Sequence, residues 1–525
     1  MKTTKIAIKR EQRQAVLGYA ERAQFGAKLK LFFMAALALM TAACSNDDND
    51  LTTQQPQKAR GITITAQLAP KTIGTTTRAV SEGTNKIVSE WAENEHIAIL
   101  YTVGSTKKVA DAEITAVDGS GAATITFTVD GGTTNDTPCT LVYPLSAAKD
   151  DHTGVKDAAT LLAAQDGTLN ANLDVRVGEG TIQTTTPGLT VTTQPAAQFA
   201  IMKLTLANDA KNLCIMADNI TIAGATLGTE GKEFTVAVPA VSSKTVTIVA
   251  NDASNNCYYF SKAGVSLATG RYYQSSPTMT ALGTESSADV YKITATSDVT
   301  IPDGKTVVLS GVNISGGSIT CNGSVTMILL GSNSVTATDQ KAAIKIGDSG
   351  TTLTITGSGS LTAQGGKSAA GIGTDRIGSG TLSCGNIVIN GGTVTATGGQ
   401  FGAGIGTGRA QSASITCGDI TINGGTVTAT GGNNGAAGIG TGLSIGRSGS
   451  NTCGAITIGT GVTMVTATKG GSAPNSIGKG EAAMNGTQTC GTITIGGTIY
   501  WDGSAYQNGG DTYLATSPLI YPTAP

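Results

Sequence analysis

Two stretches of this chain are nearly identical: IVINGGTVTATGG from Ile387 to Gly399 and ITINGGTVTATGG from Ile420 to Gly432, each after a Cys-Gly pair and before a Gly-Ile-Gly. A repeat with a period of about 33 residues is the mark of a solenoid, because one such unit cannot bury its apolar face alone. Weaker copies flank the pair: VTMILLGSNSVTATD from Val325, LTITGSGSLTAQGG from Leu353, ITIGTGVTMVTATKGG from Ile456 and TITIGGTIYWDG from Thr492. Taking TVVLSGVNISGG at Thr306 as the first, about seven coils are expected. Within each, apolar residues alternate at period two and the breaks are Gly, Asn or Ser, so a coil is short strands joined by tight corners. That pattern predicts a right-handed parallel β-helix, its coils about 4.8 Å apart around one core of Ile, Val, Leu and Ala.

The first residues indicate where such a solenoid works. Lys28 and Lys30 precede an apolar run from Leu31 to Ala43 that ends at Cys44. The run is too short for a membrane span and fits a signal-peptide core. With the small residues Thr41-Ala42-Ala43 before the cysteine, it resembles a bacterial lipoprotein leader, which implies lipidation at Cys44. The segment from Ser45 to Asp50, SNDDND, resembles the acidic tag that sends Bacteroidetes lipoproteins to the outer face of the outer membrane. The resemblance implies a surface-exposed protein held in the cell outer membrane by its lipid.

Composition narrows the rest. Charged residues make up only 13% and the formal net charge is -2, so the basic stripe of a nucleic-acid binder is not expected. Nine cysteines suggest a disulfide scaffold until they are placed. Cys44 carries the lipid, and Cys139, Cys214, Cys257 and Cys321 stand alone. Cys384, Cys417, Cys453 and Cys490 recur at one point of successive coils. In a β-helix such a row is a straight ladder of small apolar side chains, not the tetrahedron that zinc needs. Neighbours on the ladder lie within disulfide reach, so one or two bridges are open. Asn390 and Asn423, opening the NGG corners, predict an asparagine ladder bonded from coil to coil.

Between leader and solenoid the texture changes to short alternating strands, among them ATITFTVD from Ala123, EFTVAVPA from Glu233 and TVTIVA from Thr245. These fit a pair of β-sandwiches. A series of motifs runs through the region: TTTRAV around Arg78, SEWAENEHIAILY around Trp91, LVYPLSA from Leu141, QDGTLNANLDV from Gln165, AAQFAIMKLTL around Phe199, and AGVSLATGRYYQ ending at Gln274. Their order resembles the fimbrillin-like (Mfa-like) surface lipoproteins of the Bacteroidetes over roughly residues 60 to 281. The resemblance implies two transthyretin-like sandwiches and a role in pilus assembly or adhesion. It also implies cleavage after an arginine of the N-terminal segment, which opens a groove for a strand from another fimbrial subunit. Arg78 matches that position, with Arg60 second. Because this chain continues into a β-helix, a tip or accessory subunit fits better than a shaft subunit.

Catalysis is not expected of the solenoid. Polysaccharide lyases and hydrolases with this fold need clustered carboxylates on one face. Here Asp303, Asp339, Asp348, Asp375, Asp419, Glu481, Asp502 and Asp511 are scattered, and no histidine follows Asp298. A row of cations is more suggestive: Arg376, Arg409, Arg447 and Lys479 each follow a Gly-Ile-Gly or its variant. Stacked in register they would form a strip able to meet an anionic glycan, and the solenoid broadly resembles β-helical carbohydrate-binding domains. Aromatics gather only near the end, at Tyr500, Trp501, Tyr506, Tyr513 and Tyr521, as a hydrophobic cap.

The sequence therefore predicts an all-β chain without cofactor or metal. Residues 1–44 form the leader with its lipidated cysteine, 45–78 the acidic tag and flexible tether with one possible strand at Ile62 to Gln67, 79–190 and 191–285 two sandwiches, 286–500 the β-helix and 501–525 the cap. The expected function is an adhesin or fimbrial tip or accessory subunit. The alternatives are a surface protein of a polysaccharide-utilisation system that binds host or dietary glycans and, from the enzyme class, a polysaccharide lyase or hydrolase.

Overall fold

A computed structural model describes residues 61–71, 81–83, 86–88, 90–162, 165–168, 173–446 and 449–522. It is all-β. The first sheet takes the order β1 (Ile62–Leu68), β6 (Ala123–Val129), β5 (Thr106–Val117), β4 (His96–Val103), β7 (Thr137–Tyr143), β8 (Arg176–Gln183), β9 (Gly188–Ala197), with the small hairpin β2 (Ser81–Gly83) and β3 (Lys86–Val88) apart from it. Alternate residues of the strands, such as Ile64, Leu68, Ile97, Ile99, Ile125 and Leu141, fill one core. Within the segment expected to be tether, the one strand anticipated at Ile62 to Gln67 forms as an edge strand, in which Ile64, Ala66 and Leu68 point inward. The boundary expected between residues 190 and 191 falls inside β9, because the alternation carrying that strand continues to Ala197.

A second sheet follows, ordered β11 (Ile220–Val238), β10 (Ala200–Ala217), β12 (Val241–Asn251), β13 (Cys257–Leu267), β15 (Thr280–Ala281), with β14 (Tyr272–Ser275) parallel to the start of β10. Its core is Leu204, Leu213, Ile215, Phe234, Val236 and Ile248.

From Val290 the chain winds into parallel coils. One ladder runs through Val290–Ile293, Lys305–Ser310, Val325–Leu330, Thr352–Gly357, Asn386–Thr397, Ile420–Thr430, Ile456–Ile458 and Ile493–Ile495. Its first strand lies inside the expected bounds of 286–500, one coil before the first repeat counted from sequence at Thr306. A second ladder passes through the short strands Val299–Ile301, Ile319–Cys321, Ile344–Lys345, Ile372–Gly373, Ile405–Gly406, Ile439–Gly440 and Ile477–Gly478. The later coils add an excursion, with Gly380–Ser383, Ala413–Cys417, Ser450–Cys453 and Thr487–Cys490 in parallel register. Inward residues alternate with outward ones and join one continuous core from Tyr291 to Leu519.

Solenoid and second sheet are packed together. In the first coils Val308, Ile328 and Leu330 point away from the solenoid core, yet each is at most 1% exposed. They meet Cys214, Met216, Val249 and Cys257 on the outer face of the second sheet. Each large side chain buried this way contributes about 1.5–3 kcal/mol. Polar bonds fix the register: Asn251 Nδ2 donates to Ser310 Oγ at 2.8 Å, and Gly357 N donates to Thr221 Oγ1 at 2.9 Å. At Gly391 a Cβ would run into the Thr221 side chain, so a glycine at this corner lets the two parts approach.

The far end is closed. The strand Thr498–Trp501 turns back antiparallel on Ile493–Ile495, the helix Gly510–Ala515 follows, and Leu519–Tyr521 pairs antiparallel with Val462–Thr468. Trp501, Leu514 and Leu519 join the solenoid core.

Candidate functional site

The solenoid edge follows from the coil register. Ile372, Ile405, Ile439 and Ile477 are paired in succession, as are Gly373, Gly406, Gly440 and Gly478. Counting from these glycines, Arg376 and Arg409 occupy one row, which continues as Leu443 and Glu481. Lys479 stands two positions earlier, in the row of Thr374, Thr407 and Thr441. The four-cation strip expected from sequence is therefore corrected: counting residues after a turn ignored that the last coil carries its cation at a different register. Arg447 lies outside the described residues.

The three described cations are held by partners within the fold. Arg376 spans its neighbours, with Nη1 donating to Gln340 Oε1 at 2.5 Å and Nη2 to Gln411 Oε1 at 2.7 Å. Arg409 lies over the Phe401 ring at 4.7 Å, and Lys479 Nζ lies 3.9 Å from the Trp501 centroid. Burial, with Arg376 beside it, lowers the Arg409 pKa from its ordinary value. Among the described residues neither arginine has a carboxylate partner, whereas Lys341 and Lys345 pair with Asp298 and Asp375.

The row that Lys479 interrupts is one the sequence reading missed. Thr374, Thr407 and Thr441 are at most 2% exposed. Each hydroxyl accepts the backbone N–H of the next coil at 2.8 Å, from Gly408, Gly442 and Gly480 in turn. The signal was present as the Thr after each Gly-Ile-Gly. The acids act similarly: Asp303 accepts from Ser324 N, Asp375 from Ala342 N and Asp419 from Ala455 N. The asparagine pair is joined, Asn423 Nδ2 donating to Asn390 Oδ1 at 2.9 Å.

The cysteines form a straight row in the excursion strands, with Cys417 paired to Cys453 and Cys453 to Cys490. Cys384 begins it, its Sγ 2.7 Å from Cys417 Sγ. All four are buried. The neighbouring sulfur and burial together raise the thiol pKa of Cys417, Cys453 and Cys490 well above the ordinary value.

In the first sheet the separated motifs converge. Trp91 meets Tyr143 edge to face at 5.2 Å, and Lys71, its side chain 1% exposed, sits between them with Nζ 4.3 and 3.9 Å from the two ring centroids. Glu95 and Asp174 flank the ammonium at 3.6 and 3.5 Å. Tyr143 donates to Glu95 at 2.6 Å, and the fully buried Arg176 donates through Nε to Asp174 at 2.8 Å. Burial lowers the Lys71 pKa against the opposing pull of Asp174 and Glu95. Trp91 also donates to Ala69 O at 3.0 Å, so the cluster ties the end of β1 to the sheet. Arg78, Arg60 and Cys44 lie outside the described residues.

Residues 353–376, 387–409 and 420–443 match the beta helix repeat family. No curated protein matches the chain. Among solved structures it is similar to a fimbrial assembly protein from Parabacteroides distasonis, at 13% identity over 41% of this chain and 90% of that one, with a TM-score of 0.24. A fimbrial protein from Bacteroides ovatus is similar at 11% identity over 41% of this chain and 48% of that one, TM-score 0.22. The tip fimbrial protein of Porphyromonas gingivalis, in a C-terminally truncated form, is similar at 8% identity over 40% of this chain and 93% of that one, TM-score 0.22.

Proposed function

We propose that this chain is a surface-exposed outer-membrane lipoprotein, anchored through Cys44, that acts as an adhesin or a fimbrial tip or accessory subunit. In this reading the two sheet domains are transthyretin-like sandwiches and the β-helix is right-handed. The carrying observation is the joint: the second sheet is buried against the solenoid flank through Val308, Ile328 and Leu330, so the fimbrillin-like part presents the solenoid as one rigid piece. The β-helix that continues from the second sheet favours a tip or accessory place over a shaft. In this reading the chain binds rather than catalyses, and the turn-holding bonds accepted by Asp303, Asp375 and Asp419 support it.

Protease treatment of intact cells tests the location and loss of attachment on gene deletion tests the role. The expected result is digestion of the protein without lysis and weaker attachment by the deletion strain. Full protection from protease, or unchanged attachment, overturns the reading.

A second reading, a glycan-binding surface protein, is favoured by Arg376 and Arg409. They stand in adjacent coils with no carboxylate partner among the described residues, which leaves two positive charges able to meet one sulfated or uronate chain.

A further inference from the structure

The cysteine row has a chemistry that neither adhesion nor glycan binding uses. Cys417, Cys453 and Cys490 are paired in one register of consecutive coils, and Cys384 joins the row beside Cys417, one position past the pairing of Ser383 with Thr416. Parallel strands bring in-register Cα atoms about 4.8 Å apart, inside the 4.4–6.8 Å window of a disulfide. The sulfurs of Cys384 and Cys417 lie 2.7 Å apart, against a bond of about 2.05 Å. We propose that Cys384 and Cys417 form a disulfide when the chain folds in an oxidising compartment, stapling two successive coils through their excursion strands.

The step is a thiol–disulfide exchange. One thiolate attacks a sulfur of an oxidised dithiol oxidoreductase or of glutathione disulfide, and the mixed disulfide is resolved by the second cysteine. Overall two S–H bonds and the oxidant's S–S bond are replaced by the Cys384–Cys417 bond and two thiols of the reduced oxidant, which take up the two electrons and two protons. Burial bars such an oxidant from the finished coil, so the bridge forms while the coils assemble. A staple closed at that stage resists peeling of one coil from the next. The inference rests on the coil geometry and holds whether or not the surface reading is right.

The test uses the full chain, produced once with export to an oxidising bacterial periplasm and once in a reducing cytosol. Each sample is denatured with an alkylating agent and digested with trypsin. Cleavage after Arg376, Arg409, Arg447 and Lys469 places Cys384, Cys417 and Cys453 on separate peptides. The expected result for the exported protein is a species linking residues 377–409 to 410–447, with a urea midpoint that falls to that of the cytosolic protein when reductant is added. A Cys384→Ser variant should lose that reductant sensitivity. Alkylation of both Cys384 and Cys417 in the exported protein, or a link from Cys417 to Cys453 instead, overturns the proposal.

Discussion

Thr407 shows what a single side chain contributes in a stack. Its hydroxyl accepts Gly442 N from the next coil, in a place with no solvent. Replacing it by Val keeps the shape and leaves that N–H unsatisfied, which costs about 1–3 kcal/mol. Thr416→Val, at an exposed position of the same coil, should stay within about 0.5 kcal/mol; urea denaturation of both variants gives the comparison. The lone buried thiols give a pH signature. Burial pushes Cys139, Cys214 and Cys321 up to about 12 and Cys257 up to about 11, from an ordinary 9. Between those values the unfolded chain has released protons that the folded chain still holds, so stability is intact below pH 9 and falls as pH rises toward 12. Cys321→Ala removes one such group. Its disadvantage relative to the parent, followed by urea midpoints at pH 8 and pH 10.5, should shrink at the higher pH.

At the scale of elements, the informative strands are those whose apolar residues fail to alternate. In β4 Ile97, Ile99 and Tyr101 face the first core while Ala98 and Leu100 face another. In β10 Leu213 and Ile215 face inward and Cys214 and Met216 face the solenoid. The solenoid answers with Val307 and Leu309 inside and Val308 outside, then Met327 and Leu329 inside and Ile328 and Leu330 outside. A continuous apolar run marks a strand covered on both faces. Ile328→Ala should cost about 3 kcal/mol and expose the connection around Gly283 to Asp289 to limited proteolysis, while Ile355→Ala, buried in the solenoid core, should cost as much without opening that connection. The edge arginines belong to this scale too. Replacing Arg376 and Arg409 together by Gln should lower stability by roughly 1 kcal/mol, through the lost bonds to Gln340 and Gln411 and the lost contact with Phe401. Under the glycan reading it should also abolish binding to polyuronate at low ionic strength, read by retention on an alginate column; unchanged retention would remove that reading.

For the molecule as a whole, a solenoid must end its stack without leaving an open sheet edge. Here Trp501 covers the last coil and donates to Cys490 O at 3.0 Å, Leu514 fills the space beside it, and Tyr500 stacks on Tyr513 at 4.3 Å. Removing residues 502–525 should uncover Ile493 and Ile495 and raise concentration-dependent aggregation above that of the full chain, measurable by light scattering.

The sequence by itself determined what repeats and alternation encode. The near-identical NGG segments set the coils, their in-register strands and the ladders of Ile, Asn and Cys, because stacking identical units forces like residues to meet. The hydroxyl ladder at Thr374, Thr407 and Thr441 was equally legible from the recurring Gly-Ile-Gly-Thr. What tertiary structure decided are relations between segments with no common period. Lys71, Trp91, Tyr143 and Asp174 converge only because β1 pairs with β6 and the sheet folds around its core. The flank of the early coils becomes an interface only because β10 lays a second apolar face on it. The cation row ends after Arg409, at Leu443, and Lys479 falls in the threonine row, because the pairing register, not the residue count after a turn, fixes which side chains are neighbours.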